Sequence, residues 1–313
     1  MDLGTNNCRL LIAEPAANGF RVVDGFSQVV RLGEGMQESG RIGEAAMGRT
    51  LRALRECVAR ITARPIAATA CVATQACRAA ANGAEFLARV RDEIGLAFRI
   101  IDPEEEARLA VKGCASLIDR NAEAALIVDI GGGSTELSWV DAQGAIQSWT
   151  STPLGVATLA ERLPEPDSGV REWYKILVEH VIAQLPIVDE AGEARRAMLR
   201  DGRAHIIGTS GTVTGLAGVH LNLPRYQRAR VDAAWMRSAD CTATTGRLRA
   251  MSKAERAAHP CIGKDRADFV LPGCAILEAV LSVWPSERLR VADRGLREGL
   301  LMNLMAAHQA EVA

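Results

Sequence analysis

The stretch LIVDIGGGSTELSWV, residues 126–140, passes from an apolar segment through consecutive glycines into a second, mostly apolar segment. Short apolar runs on both sides of a glycine turn predict two strands joined as a hairpin. An ordinary hairpin turn needs no acidic side chains, yet Asp129 ends the first run and Glu136 opens the second. The additional glycines allow the backbone to bend sharply and to approach a ligand closely.

A second copy of this pattern begins the chain. The segment DLGTNNCRL, residues 2–10, aligns with DIGGGSTEL, residues 129–137, so that Asp2 corresponds to Asp129. A mostly apolar run follows both copies. The repeat predicts a duplicated domain with one glycine hairpin in each half.

The glycine turns also indicate a ligand. Successive backbone N–H groups in such a turn form a concavity that binds anions. A carboxylate beside the concavity repels a phosphate unless Mg²⁺ or an ordered water lies between them. The pattern therefore favours a phosphate site with a divalent cation. Two unrelated tight turns are the alternative, which suits a lone D-x-G better than the longer D-x-G-G-G-S-T-E.

The rest of the chain alternates between strand and helix patterns, which predicts an α/β fold. The segment DRNAEA, residues 119–124, is the expected crossover between the halves. Domain I is predicted over residues 1–118, with a closing helix at 297–313 that packs back on it, and domain II over 119–296. Helices are predicted over 40–64, 84–95, 103–118, 171–185 and 269–284, and a strand over 97–102. A strand, loop and helix are predicted over each of 65–83, 204–221 and 288–305.

Composition bounds the class of protein. The chain has 313 residues, of which 48% are apolar and 24% charged, as in soluble globular proteins with room for roughly two domains. No apolar run approaches the ~18 residues that cross a bilayer, and we expect no secretion signal. The eight cysteines form no C-x-x-C pair, which favours reduced thiols in a cytoplasm. A net charge of −1 predicts neither nucleic acid nor membrane as a partner.

Six segments together resemble the exopolyphosphatase / guanosine pentaphosphate phosphohydrolase (Ppx/GppA) family, in its short two-domain class. They come in the family's order and spacing and cover nearly the whole chain. The resemblance implies two ribonuclease-H-like domains of the actin, sugar-kinase and heat-shock-chaperone ATPase fold, with a cleft between them. The segments are DLGTNN at 2–7, ATQACR at 73–78, EEEARLA at 104–110, VDIGGGSTEL at 128–137, GTSGTVTGLA at 208–217 and ADRGLREGLL at 292–301.

The same resemblance implies a role for each matching residue. Glu106, the glutamate immediately before Ala-Arg, is implied to position or deprotonate the attacking water. Asp129 and Glu136 are implied to line the site as catalytic residues and to hold Mg²⁺, together with Asp2. The implied phosphate-binding residues are Asn6, Arg78, Gly131, Gly132, Gly133, Ser134, Ser210 and Gly211.

Several of these residues could instead have a purely structural role, without any contact with substrate or metal. Glu106 could be an acid in the first turn of a helix that interacts only with the helix dipole, and this interpretation is favoured for Glu104 and Glu105. Arg78 could be a salt-bridge partner, and Glu136 a solvent-facing strand residue. Ser210 and Thr212 could cap a helix.

The chain departs from the family at both ends. Family members have several residues before the first D-x-G, whereas only Met1 precedes Asp2 here. Either the start codon was assigned too late or the first strand is a stub. A shortened central strand is expected to lose ladder hydrogen bonds and core contacts, and to displace Asp2. Longer members also carry a C-terminal helical region, so processivity on long polyphosphate is not expected of a chain that stops at Ala313.

The expected function is Mg²⁺-dependent release of terminal phosphate from inorganic polyphosphate, from guanosine pentaphosphate, or from both. The sequence does not separate these substrates. One alternative is a non-catalytic sensor that binds an alarmone or nucleotide in the same fold, and another is a sugar or acetate kinase. Dimerisation is common in the family, so a homodimer is among the expectations.

Overall fold

The computed structural model describes residues 1–16, 19–186 and 190–312, with side chains through residue 308. Eleven strands lie within these residues. They are β1 Asp2–Leu3, β2 Asn7–Ala16, β3 Gly19–Val29, β4 Val72–Ala73, β5 Arg99–Ile100, β6 Ala124–Ile130, β7 Thr135–Asp141, β8 Ile146–Thr152, β9 Ala204–Thr209, β10 Trp235–Arg237 and β11 Arg288–Ala292.

Fourteen α-helices accompany the strands over the same described ranges. They are α1 Met36–Ser39, α2 Glu44–Thr62, α3 Gln75–Ala79, α4 Gly83–Ile94, α5 Pro103–Cys114, α6 Val156–Arg162, α7 Val170–Ile182, α8 Glu190–Arg200, α9 Gly211–His220, α10 Arg228–Val231, α11 Ser238–Ala250, α12 Lys253–Ala258, α13 Val270–Val283 and α14 Leu296–Val312. No helix in the described part of the chain is both long and apolar enough to cross a membrane.

The chain divides into two units. Unit 1 comprises Met1–Gly113 together with Leu296–Ala313, and unit 2 comprises Cys114–Gly295. The domain ranges derived from the sequence, 1–118 with 297–313 and 119–296, stay a prediction.

Unit 1 contains a five-stranded sheet in the order β3-β2-β1-β4-β5. Strands β1, β2 and β3 pair antiparallel, whereas β1, β4 and β5 pair parallel. Helix α2 buries Leu51, Leu54 and Cys57 toward this sheet. That spacing is the apolar stripe of an amphipathic helix.

Unit 2 contains a six-stranded sheet in the order β10-β11-β9-β6-β7-β8. Strands β6, β7 and β8 form an antiparallel meander, and β6, β9 and β11 pair parallel. Helix α13 is apolar on nearly all sides and lies in the core, as a fully buried helix requires. Its Gly273 allows close packing, because a Cβ there would lie 2.2 Å from the Thr212 hydroxyl.

The two sheets repeat one topology, which confirms the predicted internal duplication and the α/β class. In each unit the strand that carries the first aspartate lies in the middle of the sheet, antiparallel to the next strand along the chain. The hairpin turns also close alike: Gly4 N–H donates to Asn7 O at 2.9 Å, and Gly131 N–H donates to Ser134 O at 2.9 Å.

Unit 1 shows the largest differences from the predicted elements. The strand expected over 97–102 is reduced to Arg99–Ile100, and strand β3 was not predicted. Strand β3 is an edge strand with mostly exposed or half-buried residues, so its sequence lacks the clear alternation of a half-buried strand. Strand β1 is a stub of two residues, yet Asp2 keeps its place in the ladder opposite Arg9 and Val72.

Candidate active-site residues

The glycine loop of unit 2, residues 131–134, lies against the start of helix α6. Val156 N–H donates to Gly131 O at 3.0 Å, and Ala157 N–H donates to Gly132 O at 2.9 Å. In a trans peptide the C=O and N–H groups point in opposite directions. The N–H groups of Gly132 and Gly133 therefore point away from α6, and they have no acceptor among the described residues. Such a pair of N–H groups can bind an anion.

Glycine is required on both sides of this contact. A Cβ at Gly155 would lie 2.3 Å from the carbonyl carbon of Gly132 and 2.4 Å from Gly133 N. A Cβ at Gly131 would lie 2.9 Å from Ser134 O. These distances are shorter than side chains tolerate, so the glycines hold the loop in the orientation that exposes its N–H groups.

Two carboxylates face each other beside this loop. Asp129 on β6 and Glu136 on β7 are directly opposed in the antiparallel ladder. Opposed residues of neighbouring strands project their side chains on one face, with Cβ atoms about 5 Å apart. Ser151 on β8 is the next residue in this row, and its hydroxyl donates to Glu136 Oε1 at 2.7 Å. Glu136 is only 3% exposed, so its interpretation as a solvent-facing residue was wrong.

The pair has the chemistry of a cation site. Like charges opposed across two strands destabilise a sheet unless something neutralises them. Mg²⁺ is commonly held by one or two carboxylates, with substrate phosphates and water completing its coordination. Asp129 and Glu136 fit that description. Within the described residues no cluster of three or more His, Cys, Asp or Glu side chains is arranged to hold a metal.

Asp2, the third predicted metal ligand, has a different neighbour. It is buried and lies opposite Arg9 in the β1–β2 ladder, where unit 2 has the carboxylate of Glu136. Burial raises the pKa of Asp2 above its ordinary value, while the positive charges of Arg9 and Arg297 oppose that rise. Its role as a metal ligand stays a prediction.

The loop between β9 and α9 contains Ser210 and Gly211. Ser210 has φ 139°, a conformation that only glycine adopts easily, and it therefore stores backbone strain. Its hydroxyl accepts hydrogen bonds from Thr212 N at 3.1 Å and Val213 N at 3.4 Å. Ser210 is thus the N-cap of α9, as its structural interpretation predicted, and phosphate contact at this loop stays a prediction.

Arg266 is a candidate that the sequence analysis missed. Its guanidinium carbon lies 3.7 Å from the position of a Cβ on Gly211. A guanidinium beside a glycine at a helix start is a typical partner for phosphate. Arg266 lies in the segment GKDRADF, residues 263–269. Nothing in that segment indicates that it approaches residue 211 in the fold.

In unit 1, Glu106 lies in the first turn of α5 and is buried. Arg78 Nη1 donates to Glu106 Oε2 at 3.1 Å and to Ile101 O at 2.6 Å. Arg78 Nη2 donates to Gln75 Oε1 at 2.6 Å. The guanidinium is thus held by three acceptors, and it orients the Glu106 carboxylate. The salt-bridge interpretation of Arg78 is confirmed, and its direct contact with phosphate stays a prediction.

Burial and pairing separate Glu106 from the two preceding glutamates. Glu104 pairs with Arg108 at 2.6 Å, and both side chains are exposed. Glu105 forms an ion pair with Arg99 near the surface, and this pairing lowers the pKa of Glu105. Both behave as first-turn acids of a helix, as expected.

The first hairpin loop contains unpaired polar atoms. Thr5 Oγ1 and Asn6 Oδ1 are buried and have no hydrogen-bond partner in the described part of the chain. Buried polar atoms nearly always form a hydrogen bond with the protein, with water or with a ligand. Since these two have no protein partner, they mark a position where water or a ligand binds. The backbone carbonyl of Asn6, in contrast, accepts hydrogen bonds from Val30 N at 2.8 Å and from Arg31 N at 3.1 Å.

Arg31 is a second candidate that the sequence analysis missed. It has φ 49°, which is uncommon for a residue other than glycine, and strained residues of this kind cluster at functional sites. Its N–H bond to Asn6 O places it beside the first hairpin loop.

The order of the strands and the repeated hairpins define the class. The chain is an α/β protein of two units whose sheets repeat one topology. The sequence profile of the Ppx/GppA phosphatase family matches residues 11–308, and the chain belongs to that family.

Relatives match over nearly the full length. Exopolyphosphatase 2 of Mycobacterium tuberculosis is 27% identical over 97% of both chains. The crystal structure of the Aquifex aeolicus member of the Ppx/GppA family is 27% identical, with a TM-score of 0.76 over 98% of this chain and 96% of that one. An exopolyphosphatase from Cytophaga hutchinsonii is 23% identical, with a TM-score of 0.86 over 98% and 96%, and it supports the fold alone.

Proposed function

We propose that this chain is a phosphoanhydride hydrolase that releases terminal phosphate from inorganic polyphosphate. The observation that carries the proposal is the glycine loop of unit 2, whose outward N–H groups adjoin the opposed carboxylates of Asp129 and Glu136. Anion donors beside a cation-binding pair suit a polyanionic phosphate chain. Membership of a phosphatase family and the name of the mycobacterial relative support the same reaction.

Glu106 is proposed to accept a proton from the attacking water. Phosphoryl transfer requires a nucleophile in line with the leaving oxygen and an acceptor for its proton. A carboxylate that is buried and held by a guanidinium has a defined direction, which suits it to orient water. Arg78 is proposed as a positioning residue, because its three acceptors lie on the protein.

The glycine loop is proposed to bind the phosphate oxygens on which charge develops. Fixed N–H donors of this kind stabilise the transition state without reorganising. Asp129 and Glu136 are proposed to hold Mg²⁺, with Ser151 fixing the direction of Glu136. When bound there, Mg²⁺ neutralises phosphate charge and orients the phosphate oxygens.

Guanosine pentaphosphate stays a second candidate substrate, since the sequence resemblance to the Ppx/GppA family implied both substrates. A reducing, cytoplasmic location is part of the proposal, because the eight cysteines are buried free thiols.

Phosphate release from short polyphosphate, long polyphosphate and guanosine pentaphosphate tests the proposal. We expect the purified protein with Mg²⁺ to release phosphate from polyphosphate. Tight binding of pentaphosphate without release from any substrate would indicate a sensor instead. Consumption of ATP only with an alcohol or acid acceptor would indicate a kinase.

A further inference from the structure

Residues 30–33, between β3 and α1, lie against the first hairpin loop of unit 1. Two of their N–H groups donate to Asn6 O, at 2.8 and 3.1 Å, and a third donates to Thr5 O at 2.9 Å. The backbone carbonyls of the loop are therefore bonded to this segment. Its buried side-chain atoms Thr5 Oγ1 and Asn6 Oδ1, which have no partner in the described part of the chain, are left for a ligand or water.

The packing of Thr5 decides which way its hydroxyl faces. A Cβ at Gly33 would lie 2.4 Å from Thr5 Cγ2 and 3.7 Å from Thr5 Cβ, so the methyl group is directed at Gly33. The hydroxyl is the other substituent of that Cβ, and it faces away from this backbone. A threonine hydroxyl both donates and accepts, so it can donate to a phosphate oxygen. Asn6 Oδ1 only accepts, which suits it to a bound water.

Arg31 has a backbone conformation that arginine rarely adopts. Its φ is 49°, in the left-handed region. The residues on either side, Val30 and Leu32, are fully buried, whereas Arg31 is half-buried. Glycine would adopt this conformation without strain. A strained residue persists only where its surroundings hold it, and such residues cluster at functional sites.

Arg49 of α2 provides that support. Its Nε donates to Val30 O at 2.9 Å, and its Nη2 donates to Arg31 O at 3.3 Å. The same guanidinium pairs with Glu34. The backbone of Arg31 is thus held at its carbonyl by Arg49 and at its N–H by Asn6 O. These bonds fix the position of Arg31 beside the first hairpin loop.

We propose that Arg31 and the Thr5 hydroxyl bind a phosphate group of the substrate at the first hairpin loop, with Arg49 as a positioning residue. This inference rests on the proposed function, because the ligand is the polyphosphate of that proposal. Guanidinium and hydroxyl donors match phosphate oxygens, and the guanidinium can bind two oxygens of one phosphate. The strain at residue 31 is retained because it places a cation beside the loop.

Calorimetric binding of tripolyphosphate tests the inference, in the Glu106→Gln chain with Mg²⁺ so that release is slow. We expect Arg31→Gly to raise Kd by about tenfold or more, because a charge-assisted contact is lost. Its melting temperature should stay unchanged or rise by about 1–3 °C, because glycine removes the strain. Thr5→Val, which keeps the shape without the hydroxyl, should raise Kd by about threefold or more. In the chain that keeps Glu106, KM should rise in the same order.

Three further variants separate binding from structure. Ala233→Gly is the control for strain, since Ala233 has φ 68° in unit 2, and it should not change Kd. Arg55→Gln removes an exposed charge of α2 and should also leave Kd unchanged. Arg49→Lys should raise Kd in the parent chain but have no further effect once Arg31 is glycine, because Arg49 acts through Arg31.

A lower melting temperature with unchanged Kd in Arg31→Gly would show a purely structural role and overturn the inference. An equal rise of Kd in Arg55→Gln would do the same. Phosphate release by the wild type, with a Kd independent of Arg31, would keep the proposed function and refute only the inference. Binding that depends on Arg31, without release by the wild type, would support the inference and refute the hydrolysis. Absence of tripolyphosphate binding would contradict both.

Discussion

Arg78 Nη1 lies 3.1 Å from Glu106 Oε2, and the two residues come from different helices of unit 1. The side chains are 19% and 12% exposed, so solvent screens the pair only partly. Removal of one partner would leave a charge in a largely buried place, and such losses are more costly than the loss of a surface pair. The same ion pair therefore both stabilises this region and fixes the direction of the Glu106 carboxylate.

Substitution of Glu106→Gln is expected to lower kcat for phosphate release by roughly 10²–10⁴, because glutamine keeps the shape but cannot accept the proton. Glu105→Gln is the matched control, since Glu105 lies next to it and pairs with Arg99 near the surface. Steady-state phosphate release with both variants checks this. Full activity of the Glu106 variant would refute the assigned role.

Substitution of Arg78→Lys is expected to lower kcat by about tenfold or more with little change in KM, since lysine carries all its donors on one nitrogen and cannot reproduce the contacts that Nη1 and Nη2 make separately. In Arg78→Ala, added guanidinium ion should restore part of the activity. Arg108→Lys, at an exposed pair, is the control. A change in KM alone would instead indicate direct binding of substrate by Arg78.

Substitution of Glu136→Gln is expected to weaken Mg²⁺ binding. In the absence of metal it should raise the free energy of unfolding by about 0.5–1 kcal/mol, because it removes a like charge opposite Asp129. Calorimetric Mg²⁺ titration and chemical denaturation measure the two effects. Glu193→Gln, an exposed residue of α8, serves as the control. Unchanged Mg²⁺ affinity would remove Glu136 from the metal site.

Substitution of Gly155→Ala is expected to destabilise the protein by about 1–3 kcal/mol and to reduce activity, because the new Cβ overlaps the backbone of Gly132 and Gly133. Gly246→Ala is the control: it lies inside α11 with nothing within 4 Å of the added Cβ. That change should stabilise by about 0.5–1 kcal/mol. Thermal unfolding and phosphate release distinguish the two variants.

Protonation of His205 is expected to set a pH dependence of stability. Burial lowers the pKa of His205 from 6.5 to about 4, with further lowering by Arg288 and Arg290. Its Nε2 accepts from Asp119 N at 3.0 Å, which requires an unprotonated Nε2. Between pH 6.5 and about 4 the unfolded chain binds the proton more readily. The free energy of unfolding should therefore fall by about 3 kcal/mol as the pH drops from 6.5 to about 4. Below that pH, His205 should contribute no further change.

Denaturation curves of His205→Gln and the exposed control His308→Gln check that dependence. Glutamine keeps an acceptor without a titrating proton, so the first variant should lose this part of the pH slope. The same slope in wild type and the His205 variant would show that other groups dominate.

The two hairpins and the opposed carboxylates were predictable from the sequence. Strand, turn and strand are contiguous there, and the hydrogen bonds of Gly4 to Asn7 and Gly131 to Ser134 close locally. Once the register of a hairpin is set by its turn, Asp129 and Glu136 must face each other. The amphipathic α2 and the buried α13 likewise follow from patterns within single segments.

Contacts between segments distant in the chain were not predictable in this way. Three adjacent glutamates share one helical turn, and only packing buries Glu106 against Arg78 while Glu104 and Glu105 stay near the surface. Arg266 approaches Gly211 through the fold of unit 2, with no signal in local spacing.

The sequence by itself determined the α/β class, the duplicated glycine hairpins and the pairing of Asp129 with Glu136, because those features depend on hydrogen bonds and side-chain alternation within short segments. The tertiary structure decided which charged groups become buried partners, as for Arg78 and Glu106. Such contacts depend on how whole elements pack, and packing is a property of the assembled core rather than of any one segment.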